Sequence, residues 1–245
     1  MVRAVLFDLG ETLLTYGDQP TVFRLYLKGL EDFYARLKSE GREVPDWPRF
    51  RRHITRRFKM RYFWSHFRRH EMDGAAVARS SLADFGLQFD DGAFREACRT
   101  VFGHIRSNLI ILPAVRETLE MLSERGLATG VISNVVIPSF LLEEDLQKEG
   151  LAPFLDARVY SVDAGFRKPS RELFERGLRA VGVSAREAIY VGNRLYADVW
   201  GASRCGMRTV LVRTGPAGVW PFSKPDAVIG TLAEFGDLLD GELFK

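Results

Sequence analysis

Short apolar runs alternate with helix-like patterns through the second half of this 245-residue sequence. The apolar runs predict strands, at residues 128–132, 158–161, 188–192, 208–212 and 227–229. The amphipathic stretches between them predict helices, at residues 115–125, 137–150, 170–181 and 198–205. Antiparallel strands can be joined by tight turns, whereas parallel strands need a crossover long enough to hold a helix. The alternation therefore restricts the chain to an α/β fold with a mostly parallel sheet flanked by helices.

One further apolar run opens the chain and ends in a carboxylate. Val5, Leu6 and Phe7 predict a buried strand, and Asp8 follows directly. Open α/β sheets hold their ligands in a crevice beyond the carboxyl ends of the strands. A carboxylate in that crevice can attack an electrophilic phosphorus or carbon atom. We therefore take Asp8 as the candidate nucleophile.

Residues 15–110 follow a different pattern, with long helical periodicities and no convincing strand alternation. Apolar residues recur there at spacings of three and four, as in Phe23, Tyr26, Leu27 and Leu30. This pattern predicts a helical subdomain inserted into an α/β core that is formed by residues 1–14 and 111–245.

The inserted segment is also the basic part of the chain. It carries 18 Lys or Arg against 12 Asp or Glu, whereas the remainder carries 17 against 20. Residues 49–70 alone contain nine Lys or Arg, six aromatic residues and no acidic residue. Such a composition can attract nucleic acid through phosphate neutralisation and base stacking. A solvated helix face, or one that overhangs a site for an anionic substrate, is the simpler interpretation, so nucleic-acid binding is the lesser alternative.

Several other classes of protein are disfavoured. No apolar stretch approaches the roughly 18 to 20 residues that a membrane span requires. The first residues form a strand pattern and lack the layout of a signal peptide, so we expect a cytoplasmic protein without a membrane partner. Cys98 and Cys205 lie far apart in unlike contexts, which argues against a disulfide framework or a cysteine metal site. The sequence carries no signal for an oligomeric state.

Polar residues stand at or just beyond the ends of the predicted strands. They are Asp8, Ser133, Asn134, Lys168, Asn193 and Asp198. Because the carboxyl ends of parallel strands share one edge of the sheet, we expect these side chains to meet. Ser133 and Lys168 can hold developing negative charge, and Asp198 and Asn193 can supply oxygen ligands to Mg²⁺.

These motifs resemble those of the haloacid dehalogenase superfamily of hydrolases, in which a helical cap is inserted after the first strand. The first motif holds Asp8 and Thr12, and the second, VISN, ends at Ser133 and Asn134. The third, YSVDAGFRKPS, carries Lys168, and the fourth, YVGNRLYADVWGA, carries Asp198. The resemblance covers residues 2–14 and 111–235, with the motifs in the family's order. It implies a Rossmann-like core with residues 15–110 as the cap.

The resemblance also implies a role for each residue. In phosphatases of this kind the first Asp, here Asp8, forms an aspartyl-phosphate with a small phosphorylated substrate. Mg²⁺ would be held by Asp8, by the backbone carbonyl of Gly10 and by the last motif, here Asp198 with Asn193. The phosphoryl oxygens would be bound by Ser133, Asn134, Lys168 and Thr12.

Two positions depart from the family's phosphatase pattern. The general acid and base, usually an Asp two residues after the nucleophile, is replaced by Gly10. The Gly-Asp of the last motif is replaced by Gly192-Asn193, which removes one negative charge from the metal ligands. Because general acid–base catalysis supplies about 10²-fold to 10⁴-fold, these changes predict a slow phosphatase.

Four explanations of the departures stay open. Glu11 could act as the acid in place of the missing Asp, or the substrates could be acyl or aryl phosphates, whose leaving groups need no proton. Catalysis could instead be lost, leaving a basic pocket for an anion or a partner. Dehalogenases of this superfamily likewise lack the second Asp and need no metal, but they commonly have Tyr where this chain has Gly10.

Overall fold

A parallel sheet forms the centre of the molecule in the computed structural model, which describes residues 1–68, 71–213, 220–222 and 224–241. Numbered in chain order, the strands are β1 (Ala4–Phe7), β2 (Leu14–Thr15), β3 (Ile110–Ile111), β4 (Ala128–Ser133), β5 (Ala157–Tyr160), β6 (Ala188–Gly192), β7 (Arg208–Val212) and β8 (Ala227–Ile229). Six of them form the sheet, in the order β5-β4-β1-β6-β7-β8, and every neighbouring pair is parallel. The predicted α/β fold is confirmed.

The helices fall into a group before β3 and a group after it. The first group is α1 (Gln19–Ser39), α2 (Trp47–Arg68), α3 (Gly74–Ala83) and α4 (Asp91–Arg106). The second group is α5 (Val115–Glu124), α6 (Ser139–Lys148), α7 (Ser161–Ala164), α8 (Arg171–Val181), α9 (Gly201–Ser203) and α10 (Phe235–Asp240). We call residues 19–106, which hold α1–α4, the helical segment.

The sheet is buried on both faces because side chains alternate along each strand. Val5 and Phe7 of β1 belong to a cluster that includes residues of α5, α6 and α10. Leu6, between them, belongs to a second cluster with residues of α8 and α9. Helices therefore cover both faces, which is the usual situation of a parallel sheet.

The helical segment has a core of its own. Leu30, Phe33 and Leu37 of α1 recur at helical spacing and pack with residues of α2, α3 and α4. Helices α1 and α4 approach closely at Gly29, where a Cβ atom would lie 2.1 Å from the carbonyl oxygen of Val101. Glycine permits this contact because it has no side chain.

A two-stranded antiparallel ribbon, which the sequence did not indicate, connects the two ends of the helical segment to the core. Strands β2 and β3 are antiparallel, and Thr15 lies opposite Ile110. Each strand has only two residues, which is too short for an alternating pattern to be recognised.

Two further details differ from the sequence predictions. Strand β5 begins at Ala157 and ends at Tyr160, one residue earlier than predicted at either end, because Ser161 already begins α7. The regular helix predicted over residues 198–205 is replaced by a π-helical turn, Leu195–Trp200, followed by α9. In that turn the N–H of Val199 donates to the carbonyl oxygen of Arg194, five residues back, at 3.1 Å.

The basic segment predicted at residues 49–70 lies mostly in α2, with Arg69 and His70 outside the described residues. His53 and Arg57 both contact the carboxylate of Asp84, the residue that directly follows α3. No helix within the described residues combines the length and hydropathy that crossing a membrane would need.

Candidate active site

Asp8 occupies the position between the ends of two neighbouring strands. Phe7, the last residue of β1, pairs with Val131 of β4 on one side and with Val191 of β6 on the other. The N–H of Asp8 continues this pattern by donating to the carbonyl oxygen of Val191 at 2.8 Å. The register of the sheet therefore brings Asp8 beside Ser133, which ends β4.

One carboxylate oxygen of Asp8 is firmly held and the other is not. Asp8 Oδ1 accepts a hydrogen bond from Ser133 Oγ at 2.8 Å and lies 2.8 Å from Lys168 Nζ. No hydrogen bond or ion pair from another described residue engages Oδ2. The carboxylate is thus oriented through one oxygen, and the second is available to react or to bind a ligand.

Lys168 reaches this carboxylate from the segment that follows α7. Its ammonium also lies 2.6 Å from Asp198 Oδ1 and donates to the hydroxyl of Tyr190 at 2.8 Å. Its side chain is 2 % exposed. An ammonium has three N–H donors, so Asp8, Asp198 and Tyr190 together engage all of them.

The two carboxylates decide the charge state of Lys168. Burial lowers the pKa of this ammonium, but the negative charges of Asp198 and Asp8 outweigh it, so the pKa is raised above its ordinary value. Lys168 therefore carries a positive charge at neutral pH. Within this cluster it balances one of two negative charges.

Asp198 is built into the turn after β6. Its Oδ2 accepts hydrogen bonds from the backbone N–H groups of Asn193 at 3.1 Å and Arg194 at 2.9 Å. Gly192 is required beside it, because a Cβ atom there would lie 2.6 Å from the carboxyl carbon of Asp198. With Oδ1 on Lys168 and Oδ2 on the backbone, both oxygens of Asp198 are engaged.

Asn134 lies at the site but contacts the protein backbone. Its Oδ1 accepts from the N–H of Lys168 at 2.7 Å, and its Nδ2 donates to the carbonyl oxygen of Lys168 at 3.1 Å. The sequence predicts a substrate-binding role for Asn134. In this structure its amide instead fixes the backbone that carries Lys168.

Thr12 presents a buried hydroxyl without a partner. The residue is 1 % exposed, and its Oγ1 makes no hydrogen bond to any residue in the described parts of the chain. Buried hydroxyl groups nearly always have a partner, so an unpaired one in the first motif is the kind of group that a bound oxygen atom would satisfy.

Gly10 and Glu11 form the turn after Asp8. A Cβ atom on Gly10 would meet no atom within 4 Å. Glu11 has a left-handed backbone with φ of 58°, and its carboxylate accepts a hydrogen bond from the hydroxyl of Thr15. This contact directs Glu11 toward β2, so the structure does not bring it together with Asp8 in the way it does Ser133 and Lys168.

Three residues of this neighbourhood escaped the sequence analysis as functional candidates. Tyr190, within β6, accepts from Lys168 and donates to the carbonyl oxygen of Ile132 at 2.7 Å. Arg167 precedes Lys168 and forms an ion pair with Glu71, from the linker between α2 and α3, at 2.7 Å. A tyrosine inside an apolar strand is ordinary, and a pair separated by 96 positions has no spacing that could identify it.

Three residues at the site carry oxygen donors that could hold Mg²⁺. Mg²⁺ in proteins is commonly bound by one or two carboxylates, with substrate phosphate and water completing six oxygen ligands. Asp8 could supply the carboxylate, and the carbonyl of Gly10 and the buried side-chain amide of Asn193 could supply neutral oxygen donors. The described residues contain no cluster of three His, Cys, Asp or Glu side chains that could hold a metal by themselves.

Comparison with known proteins identifies several phosphatases. A family model for haloacid dehalogenase-like hydrolases matches residues 2–206. Glyceraldehyde 3-phosphate phosphatase of Methanothermobacter thermautotrophicus is 31% identical over 155 residues, which cover 56% of this chain and 67% of the relative. The phosphatase of the same name from Pyrococcus furiosus is 36% identical, over 47% of this chain and 46% of the relative. The human phospholysine phosphohistidine inorganic pyrophosphate phosphatase is 46% identical, over 29% of this chain and 28% of its own. The chain thus spans less than half the length of the last two.

Two solved structures resemble the whole chain. A phosphatase from Thermococcus onnurineus superposes with a TM-score of 0.63 at 24% identity, over 98% of this chain and 99% of the other. A 2-haloacid dehalogenase from Pseudomonas syringae superposes with a TM-score of 0.70 at 25% identity, over the same shares. Phosphatases and dehalogenases thus share this fold, and the fold by itself does not distinguish between their reactions.

Proposed function

The chain belongs to the haloacid dehalogenase-like hydrolases, and from this premise we propose that it is a phosphatase that acts on a small phosphorylated substrate through an aspartyl-phosphate on Asp8. The observation that carries the proposal is the asymmetry of the Asp8 carboxylate. Ser133 and Lys168 hold Oδ1, and Oδ2 has no partner among the described residues. Such an arrangement orients a nucleophile without blocking it.

The proposed reaction has two steps. Oδ2 of Asp8 attacks phosphorus, a bond forms between them, and the bond from phosphorus to the leaving oxygen breaks. Water then attacks the same phosphorus, and the bond between phosphorus and Oδ2 breaks, which regenerates the carboxylate; the water proton leaves with the inorganic phosphate. The orphan hydroxyl of Thr12 is well suited to donate to a phosphoryl oxygen during both steps.

The leaving group is the point at which this site is weakest. Gly10 stands in place of an acid, the carboxylate of Glu11 accepts from Thr15, and both oxygens of Asp198 are engaged, so we propose that none of these three positions protonates a departing alkoxide. Acyl and aryl phosphates have leaving groups of low basicity that depart without a proton. We therefore propose these as the preferred substrates.

Mg²⁺ is the proposed cofactor, held by Asp8, Gly10 and Asn193. It would neutralise charge on the phosphoryl oxygens. Asp198, a fourth ligand by the sequence analysis, is proposed instead to hold Lys168, because both of its oxygens are engaged. The helical segment is proposed as a cap, with substrate entering between it and the edge of the sheet.

Hydrolysis of acetyl phosphate and p-nitrophenyl phosphate, with and without Mg²⁺, tests the proposal. We expect Asp8→Asn to lower kcat by about 10³-fold or more. Asp163→Asn is the control, because it removes an exposed carboxylate after β5 that, among the described residues, accepts a hydrogen bond from Ser139. Mass spectrometry of acid-quenched wild type should show one phosphoryl group on the peptide that contains Asp8.

Two outcomes would overturn the assignment. Activity that survives in Asp8→Asn would exclude this carboxylate as the nucleophile. Chloride release from 2-chloro acids without Mg²⁺, with no phosphate release from acetyl phosphate or p-nitrophenyl phosphate, would identify a dehalogenase instead.

A further inference from the structure

An ion pair between the helical segment and the residues that follow α7 is almost completely buried. Glu71, between α2 and α3, places its two carboxylate oxygens 2.7 and 2.9 Å from Nη1 of Arg167. The side chains are 1 % and 10 % exposed. Most ion pairs of this protein are far more exposed, so this one is shielded from solvent and from screening by salt.

Two additional contacts join the same parts of the chain. The backbone N–H of Glu71 donates to the carbonyl oxygen of Gly165 at 2.9 Å. The guanidinium of Arg167 lies over the ring of Tyr62 in α2, 5.3 Å from its centroid. The helical segment thus holds residues 165–167 through a charge, a backbone hydrogen bond and an aromatic face.

Lys168 follows these residues directly and is fixed from the opposite side. Asn134, at the end of β4, makes two hydrogen bonds to its backbone. We infer that Glu71 is a positioning residue for Lys168: by neutralising buried Arg167, it fixes the segment from which the Lys168 ammonium reaches Asp8 and Asp198. The inference rests on the proposed function for its kinetic consequence.

The physical reason lies in the cost of an unpaired charge. A guanidinium buried without its carboxylate is strongly unfavourable, so loss of Glu71 should drive Arg167 toward water. Arg167 and Lys168 are consecutive, so this movement also displaces Lys168. The three contacts of the ammonium, at 2.6 to 2.8 Å, leave little room for displacement. Correct assembly of the catalytic cluster therefore depends on a residue from the helical segment.

Glu71→Gln tests the inference, with Glu144→Gln as the matched control. Glu144 of α6 also joins the helical segment to the sheet side, through Arg99 and Arg106 of α4, but it does not contact the Lys168 segment. We expect Glu71→Gln to lower kcat for acetyl phosphate by about 100-fold, the typical effect of misplacing a reactive group by about 1 Å, with little change in KM. Glu144→Gln should leave kcat within about threefold of wild type, as expected for a half-exposed pair.

Hydrogen exchange supplies a readout that needs no turnover. We expect faster exchange in peptides covering residues 161–170 in Glu71→Gln, and unchanged exchange there in Glu144→Gln. If the exchange changes as expected but wild type hydrolyses neither acetyl phosphate nor p-nitrophenyl phosphate, the proposed function is wrong. The inference that Glu71 positions the Lys168 segment is then still supported. Equal exchange and equal kcat in the two variants would overturn the inference.

A double variant, Glu71→Gln with Arg167→Gln, separates charge pairing from simple destabilisation. It removes both charges, so no buried charge is left unpaired, and we expect it to lose less kcat than the product of the two single losses. Strictly multiplicative losses would contradict a coupled pair. Should Glu71→Gln alone not fold, faster exchange over residues 161–170 and a lower kcat in the double variant than in Glu144→Gln would support the inference, and values equal to those of Glu144→Gln would contradict it.

Discussion

At the scale of single residues, Lys168 differs from what the sequence analysis expects of it. All three of its N–H donors are engaged by Asp8, Asp198 and Tyr190. In this arrangement none is left for a phosphoryl oxygen. In this structure Lys168 orients Asp8 and balances its charge. In the proposed reaction Asp8 becomes an acyl phosphate, and the negative charge then lies on the phosphoryl oxygens. The N–H of Lys168 that contacts Asp8 could then donate to one of those oxygens.

Gly10→Asp is the most informative change of a single residue. A Cβ atom there meets open space, and the backbone is outside the left-handed region, so the new carboxyl can be accommodated. We expect kcat for alkyl phosphates to rise by about 10²-fold or more, because a general acid typically supplies that factor. The gain for acetyl phosphate should be much smaller, since its leaving group needs no proton.

Gly10→Asn is the control for this change, because it adds a side chain of the same size without an acid. Equal gains in both variants would attribute the effect to packing. Rates for alkyl phosphates that stay at the wild-type level in Gly10→Asp would mean that protonation of the leaving group is not limiting.

At the scale of secondary-structure elements, α8 lies against β4 at a glycine. A Cβ atom on Gly177 would lie 2.3 Å from Cδ1 and 2.7 Å from Cγ1 of Ile132, which is fully buried. The missing side chain lets the helix approach the strand that ends at Ser133. The distance between α8 and β4 is therefore set by one residue.

We expect Gly177→Ala to lower the free energy of unfolding by about 1 to 3 kcal/mol, the usual cost of overpacking a core. Gly103→Ala in α4 is the control, because nothing lies within 4 Å of its Cβ position and alanine favours a helix by about 1 kcal/mol. Urea denaturation measures both. Ile132→Val removes Cδ1 and should recover part of the loss when it is combined with Gly177→Ala. A destabilisation equal to zero would show that α8 has room to shift.

At the scale of the whole molecule, buried tyrosines limit stability in alkali. Burial raises the pKa of Tyr26 to about 12 from its ordinary 10.0, and it also raises the pKa of Tyr16, Tyr160 and Tyr190. In the unfolded chain these hydroxyls lose their protons near pH 10, before they do so in the folded protein. The contribution of Tyr26 to stability is therefore complete below about pH 10 and is lost as the pH rises through about 12, and the contributions of the other three also begin to fall near pH 10.

We expect the free energy of unfolding to fall steeply between about pH 10 and 12, with phenolate absorbance appearing together with the loss of circular dichroism. Tyr26→Phe removes one of the four groups and should make the slope against pH shallower. Phenolate absorbance from most tyrosines in a still folded protein would contradict the prediction.

The sequence predicts most of the sheet and the meeting of Asp8, Ser133, Lys168 and Asp198, because parallel strands bring their carboxyl ends together whatever the loops between them. It does not predict what each polar atom contacts. The side-chain amide of Asn134 contacts the backbone of Lys168, and the carboxylate of Glu11 contacts Thr15, and neither contact has a signature in the sequence. Glu71 and Arg167 meet only because two segments that are remote in sequence pack together, and no repeating pattern of residues within either segment predicts such a contact.

The ribbon of β2 and β3 has a consequence for how this chain could vary or be redesigned. It sets Thr15 opposite Ile110, so the two ends of the excursion between them stand about 5 Å apart, as in any antiparallel pair. Because this pairing holds the two ends together, the number of residues between them need not change the register of the large sheet. Helical insertions of other lengths could therefore be accommodated at this point. Each would need its own acidic residue in place of Glu71, or Arg167 beside Lys168 would be left without an ion-pair partner.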